Sequence, residues 1–171
     1  MLISLIGYMG SGKSHISKNL SEKINLKKID LDDEISAKHQ CSIPEIFEKR
    51  GEIYFRKEEK LILEVILKKE DSAVISLGGG TPVYYNNMEV INENSVSVFL
   101  RTSVKTLSER LLKEKNTRPL IARIADEDLP EFIAKHLFER NMFYNQAQIV
   151  IDTDGKSVEE ITNEIISKVL I

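Results

Sequence analysis

The segment Gly7-Tyr8-Met9-Gly10-Ser11-Gly12-Lys13-Ser14 follows an apolar run, Leu2 to Ile6, and opens a stretch with apolar residues at Ile16, Leu20 and Ile24. It fits the pattern G-x-x-x-x-G-K-[ST] in its proper setting, a strand before it and a helix after it. Few backbones meet that demand. The strand must end where a helix begins, with glycines that let N–H groups converge on one anion and a helix N-terminus that adds positive potential there. The pattern predicts a phosphate-binding loop in which Gly10, Ser11, Gly12, Lys13, Ser14 and His15 surround the polyphosphate of ATP or GTP. Lys13 is then the residue that reaches the β- and γ-phosphates, and the Ser14 hydroxyl a ligand of Mg²⁺. The loop by itself leaves transfer, hydrolysis and sensing of the nucleotide open.

The rest of the chain repeats the same alternation. Ala73 to Leu77, Val96 to Leu100 and Ile149 to Ile151 read as strands, with Lys28 to Asp30 as a weaker one. Apart from that weaker one, each is nearly all apolar, as in strands buried on both faces of a parallel sheet. Between them, Leu61 with Val65, Ile62 with Ile66, and Leu107 with Leu111 form stripes predicted to face the sheet. Ser157 and Glu160 stand at capping-box spacing before Ile161, Ile165 and Val169. Strand–helix alternation from end to end predicts a three-layer α/β domain, and 171 residues with 42% hydrophobic content suit a single core. Charged runs such as Glu58-Glu59-Lys60 and Lys68 to Asp71 read as solvated helix faces. The stretch Glu114 to Asp128, charged and containing Arg118-Pro119, reads as a mobile surface segment, either an ordinary loop or a lid.

Charge narrows the partners. Lys and Arg number 24 against 27 Asp and Glu, a net charge of −3, with no basic block suited to a phosphate backbone, so nucleic acid is not expected. Cys41 is the only cysteine, which fits a reducing compartment, and no apolar run reaches the roughly 20 residues of a membrane span. A cytoplasmic protein with no membrane partner is expected. His15, His39 and His136 are scattered without metal-ligand spacing, so surface or packing roles are expected of them.

Acceptor-side candidates lie at strand ends. Ile29-Asp30-Leu31-Asp32-Asp33-Glu34 places carboxylates beside the phosphate loop if their strands are neighbours. Of Asp30 and Asp32, one is expected to face a metal and the other an acceptor. An N-cap role for Asp32 or Asp33 is the plain alternative. The third strand ends in Ser76-Leu77-Gly78-Gly79-Gly80 and lacks the carboxylate that many phosphate-loop proteins carry there for Mg²⁺, which leaves Asp30 as the substitute. Three glycines allow close approach of a ligand or merely a tight turn. Arg56 and Arg140 are surface arginines by default, yet a guanidinium is also the side chain best shaped to hold a carboxylate.

Taken with the phosphate loop, Asp30-x-Asp32, Ser42-Ile43-x-Glu45-Ile46-Phe47, Gly51-Glu52-x-x-Phe55-Arg56-x-x-Glu59, Gly78-Gly79-Gly80, Arg118-Pro119-Leu120 and Arg140-x-x-x-Tyr144 resemble the shikimate kinase family over nearly the whole chain. The resemblance implies a P-loop kinase fold with a five-stranded parallel sheet in order 2-3-1-4-5 flanked by helices, a mobile lid at about 114–128 and a shikimate-binding segment at about 31–60. It implies transfer of the ATP γ-phosphate to the 3-hydroxyl of shikimate by a monomer. Asp32, Arg56, Gly78, Gly79, Gly80 and Arg140 would contact shikimate, the two arginines holding its carboxylate. Asp32 would be the base, Asp30 would hold Mg²⁺ through water, and Arg118 would reach the transferring phosphate. Arg110 is assigned to the nucleotide, and Asp152 to Gly155 to the border of the adenine. One departure is Gln40, where the family usually has glycine. Gluconate-type or nucleoside-monophosphate-type kinases of the same fold, and a non-catalytic nucleotide switch, are the rival readings. The first two have no need of the Asp32, Arg56, Gly79, Arg140 set together, and no Asn-Lys-x-Asp guanine signature favours the switch.

Overall fold

Strands that are apolar on both faces need helices on both sides, and the chain supplies them. A computed structural model describes residues 1–171. Strands β1 (Leu2–Ile6), β2 (Lys28–Asp30), β3 (Ala73–Ser76), β4 (Val96–Arg101) and β5 (Ile149–Asp152) form one sheet in the order β2-β3-β1-β4-β5, with every pairing parallel. Helices α1 (Lys13–Lys23), α2 (Leu31–His39), α3 (Ile43–Lys69), α4 (Asn87–Asn94), α5 (Val104–Glu114), α6 (Leu129–Tyr144) and α7 (Val158–Val169) connect and cover them. No helix is long and apolar enough to cross a membrane.

Alternation along the strands divides the core in two. Ile3, Leu5, Val74, Val98, Leu100 and Ile151 pack with Ile16 and Leu20 of α1 and Ile161 and Ile165 of α7. The intervening residues Leu2, Ile6, Ala73, Ile75 and Phe99 face a larger cluster that includes Phe55, Leu63, Leu107, Leu111, Ile133 and Tyr144. The cap expected for the last helix is present, since the Ser157 hydroxyl accepts from the Glu160 backbone and the Glu160 carboxylate accepts from that of Ser157.

Helix α3 departs from expectation. Leu61 and Val65 are 52% and 60% exposed, while Phe55, Glu59, Leu63, Ile66 and Leu67 form the buried face. Of the two expected stripes only Leu61 with Val65 faces out; Ile66 is buried and Ile62 packs against the core, on the side that also carries Leu63 and Leu67. A break at Gly51, φ 82° and ψ 171°, splits the helix and re-aims its second half. That φ is one only glycine adopts at little cost.

Two further turns bear on the site. Gln40 caps α2 in the left-handed region, φ 53°, so the backbone turn expected of glycine is kept with a side chain present. The segment 114–128 is built from short 3₁₀ turns at Lys115–Thr117 and Asp126–Asp128 around one anchor, the fully buried Ile121, while Leu120 is exposed.

Candidate active site

At the carboxyl edge of the sheet, the turn from β1 to α1 requires positive φ at Gly10 (82°) and Gly12 (94°). A β-carbon on Gly10 would also lie 3.1 Å from Leu111. Lys13 folds back over its own loop, its Nζ donating to the carbonyls of Gly7 at 2.6 Å and Tyr8 at 3.1 Å. Burial lowers its pKa to about 8, against the opposing pull of Asp32. The Ser11 hydroxyl is buried without a partner in the same loop, and Ser14 and His15 are exposed at the start of α1.

Asp30 and Asp32 are not arranged as an extended segment. Strand β2 ends at Asp30, whose Oδ1 accepts from the backbone N–H of Asp32 at 3.0 Å and Asp33 at 3.3 Å, making Asp30 itself the N-cap of α2. An aspartate followed at once by helix satisfies two orphan donors, which a continued strand would not. Asp32 therefore sits in the first helical turn. Burial pushes its pKa up to about 6, aided by the Asp30 and Glu59 carboxylates and opposed by Lys13 and Arg56.

Glu59 overturns the reading of its charged run as a solvated face: it is 1% exposed. Its carboxylate accepts from Arg56 Nη1 at 2.9 Å and from the Thr81 hydroxyl at 2.9 Å, so a charge buried on α3 is paired from two sides. The glycine triplet lies against the same groups. A β-carbon on Gly78 would be 3.4 Å from Asp32 Oδ1, one on Gly79 3.1 Å from Arg140 Nη1, and one on Gly80 2.6 Å from an Arg56 nitrogen. The Tyr144 hydroxyl donates to the Gly79 carbonyl at 2.6 Å and fixes the turn. Arg56, Arg101 and Arg118 are ion-paired within the chain, and Arg140 is not. Its guanidinium stands 5.7 Å from the Tyr8 ring centre.

These residues line two adjoining cavities. The larger, about 530 Å³, runs from the phosphate loop past Ser14, His15, Asp30 and Arg110 to Lys156 and Val158. The smaller, about 390 Å³, is lined by Ile43, Phe47, Arg56, Glu59, Gly80 and Arg140, and by Pro119 and Leu120 of the 114–128 segment. Met9, Asp32, Gly78, Gly79 and Arg118 belong to both. Arg110 joins the larger one, its Nη1 donating to the Gly10 carbonyl at 3.0 Å. Arg118 is turned onto Glu114, Nε at 2.8 Å and Nη2 at 2.6 Å from its carboxylate.

Asp152 to Gly155 does not line the larger cavity. Asp152 pairs with Arg101, and Asp154 accepts from the Ser103 backbone and hydroxyl and from Thr106, which leaves the wall to Lys156 and Val158. His136 packs, its Nδ1 2.9 Å from the Tyr8 hydroxyl, and His39 Nε2 lies 3.0 Å from Glu58. No three His, Cys, Asp or Glu side chains gather to hold a metal unaided. The Ser14 hydroxyl and the carboxylates of Asp30 and Asp32 on one cavity are instead the sparse oxygen donors that suit Mg²⁺, which keeps waters and phosphate oxygens as its other ligands.

Comparison with known proteins gives one answer. The family model described as "Shikimate kinase" matches residues 9–170. The chain is 46% identical to a shikimate kinase of Flavobacterium johnsoniae over 165 residues, 96% of each chain, and 43% identical to that of Flavobacterium psychrophilum over 164 residues, 95% of each. Among solved structures, the shikimate kinase of Bacteroides thetaiotaomicron superposes with a TM-score of 0.92 at 34% identity, covering 100% of this chain and 99% of that one. That of Acinetobacter baumannii in complex with shikimate gives 0.88 at 30% identity, over 99% and 92% of the two chains.

Proposed function

We propose a division of labour for this chain, which belongs to the shikimate kinase family and transfers the γ-phosphate of ATP to the 3-hydroxyl of shikimate. ATP occupies the larger cavity with its polyphosphate on the Gly10–His15 loop and its base toward Arg110. Ser14 and, through water, Asp30 would hold Mg²⁺, which there neutralises charge on the polyphosphate. Shikimate occupies the smaller cavity, within the acceptor segment 31–60 and against Gly78, Gly79 and Gly80, its carboxylate between Arg56 and Arg140. Asp32 accepts the proton of the 3-hydroxyl as the hydroxyl oxygen bonds to the γ-phosphorus. The bond to the β,γ-bridging oxygen breaks, and ADP leaves with that electron pair. Lys13 and Arg118 stabilise charge on the transferring group, where positioning and electrostatics supply most of the rate.

The observation that carries this reading is the boundary between the cavities, where Asp32 and Arg118 face both. For Arg118 to serve, it leaves Glu114, and the 114–128 segment acts as the lid that delivers it. A cytoplasmic monomer is the reading that the family and the single free thiol favour. Turnover with shikimate, gluconate and nucleoside monophosphates tests the acceptor; a preference for either rival overturns it. Asp32→Asn is expected to abolish nearly all turnover while ATP still binds by calorimetry, and substantial residual activity counts against the base. Arg140→Ala is expected to raise KM for shikimate strongly, and an unchanged KM removes the carboxylate grip.

A further inference from the structure

We propose that Tyr84 is a positioning residue for the acceptor, holding the Arg56 guanidinium in the orientation that receives the shikimate carboxylate. The proposal rests on the reading that Arg56 grips that carboxylate. Tyr84 follows the short 3₁₀ turn Thr81–Val83, directly after the glycine triplet. Its ring is the nearest of three around Arg56, 4.1 Å from the guanidinium carbon to the ring centre, against 5.1 Å for Phe55 and 6.0 Å for Phe47. Its hydroxyl donates to Glu52 Oε1 at 2.6 Å, which ties the ring to α3 one turn before Arg56.

Arg56 has need of such a support. Its one hydrogen bond, from Nη1 to Glu59, is a single point about which the guanidinium would pivot unless packing held it. Its Nε is buried without a partner, 3.7 Å from Glu52. Stacking an aromatic face on a planar guanidinium removes that pivot and directs the unused N–H groups toward the cavity. Tyr84 does not itself line the acceptor cavity, so it acts through Arg56. The loop bearing it is held independently by Thr81 on Glu59 and by Lys60 on Asn86, 2.9 Å each, so the fold does not depend on this ring.

Steady-state kinetics on the full chain test the idea. Tyr84→Leu and Tyr84→Ala are expected to raise KM for shikimate about 3- to 10-fold, with kcat and KM for ATP changed by less than about twofold. Tyr84→Phe, which keeps the ring, is expected to stay within about twofold of the parent. If the alanine variant does not fold, the leucine variant, which keeps apolar bulk, decides. In an Arg56→Ala background Tyr84→Leu should add nothing, because the two residues act as one unit. An unchanged shikimate KM in Tyr84→Leu, an equal rise in both KM values, or a full effect that persists without Arg56 overturns the proposal while leaving the arginine grip standing. An unchanged shikimate KM in Arg56→Ala overturns the grip, and the proposal with it.

Discussion

Acidifying the reaction from pH 7 to pH 5 is expected to lower kcat/KM for shikimate about tenfold, because the base is an unusual aspartate. An acid whose pKa is raised holds its proton to higher pH, and burial of Asp32 beside Asp30 and Glu59 places its midpoint at about 6 instead of 3.8. The ionised fraction is then about ten in eleven at pH 7 and about one in eleven at pH 5. Lys13 sets the other limb. Burial lowers its pKa to about 8, so the charged form needed against the phosphates falls from about ten in eleven at pH 7 to about one in eleven at pH 9. Direct quantification of ADP by chromatography, at each pH and low concentration of the varied substrate, avoids coupling enzymes with their own pH limits. The acid limb should appear with shikimate varied and the basic limb with ATP varied. Residual activity of Asp32→Asn should lack the acid limb. A profile flat from pH 7 to 5, or an inflection near 4, would refute the claim that desolvation governs this carboxylate.

Three other outcomes follow from the same geometry. Because the folded state raises the pKa of Asp32, stability declines as pH rises from its ordinary 3.8 through about 6. Asp32→Asn should therefore be more stable than the parent at pH 8, by at most about 3 kcal/mol, and lose most of that advantage at pH 4, as read by calorimetric melts. Gly80→Ala would put a methyl 2.6 Å from an Arg56 nitrogen and should raise Kd for shikimate at least about tenfold with ATP binding intact, as calorimetry with each ligand would reveal. Arg118→Ala should lower kcat by about 100-fold or more with little change in KM for shikimate, since its contact is made to the moving phosphate; a pure KM effect in the kinetics would instead make it a binding residue.

The strands and the phosphate loop were legible because their signals are local: apolar runs mark buried strands, and Gly10 and Gly12 stand where the backbone demands positive φ. The order of the strands is not local, and it came through the family resemblance. Side-chain environments were the least legible. Glu59 reads as one of several solvated glutamates until Arg56 and Thr81 are seen on either side of it. Helix α3 offered two apolar stripes, and only the tertiary packing selects between Leu61 and Leu63. Asp30 took the capping role expected of its neighbours because the helix starts at once after β2, a boundary that Leu31-Asp32-Asp33 does not reveal. Tyr144, which donates to the Gly79 carbonyl, stood in the spaced motif Arg140-x-x-x-Tyr144, whereas nothing in the spacing of Tyr84 marks its place against Arg56.

The break at Gly51 divides the walls of the acceptor cavity. Ile43, Pro44 and Phe47 belong to the piece before it, Phe55, Arg56 and Glu59 to the piece after it. No atom lies within 4 Å of where a β-carbon on Gly51 would stand. Both pieces are rooted in one core, Ile46 before the break and Phe55 and Leu63 after it, and the Phe47 and Phe55 rings meet across it with centres 4.5 Å apart. The bend thus wraps one continuous stretch of chain around two sides of the acceptor cavity, so that apolar Ile43 and Phe47 face it from one wall and the charged pair Arg56 and Glu59 from the other.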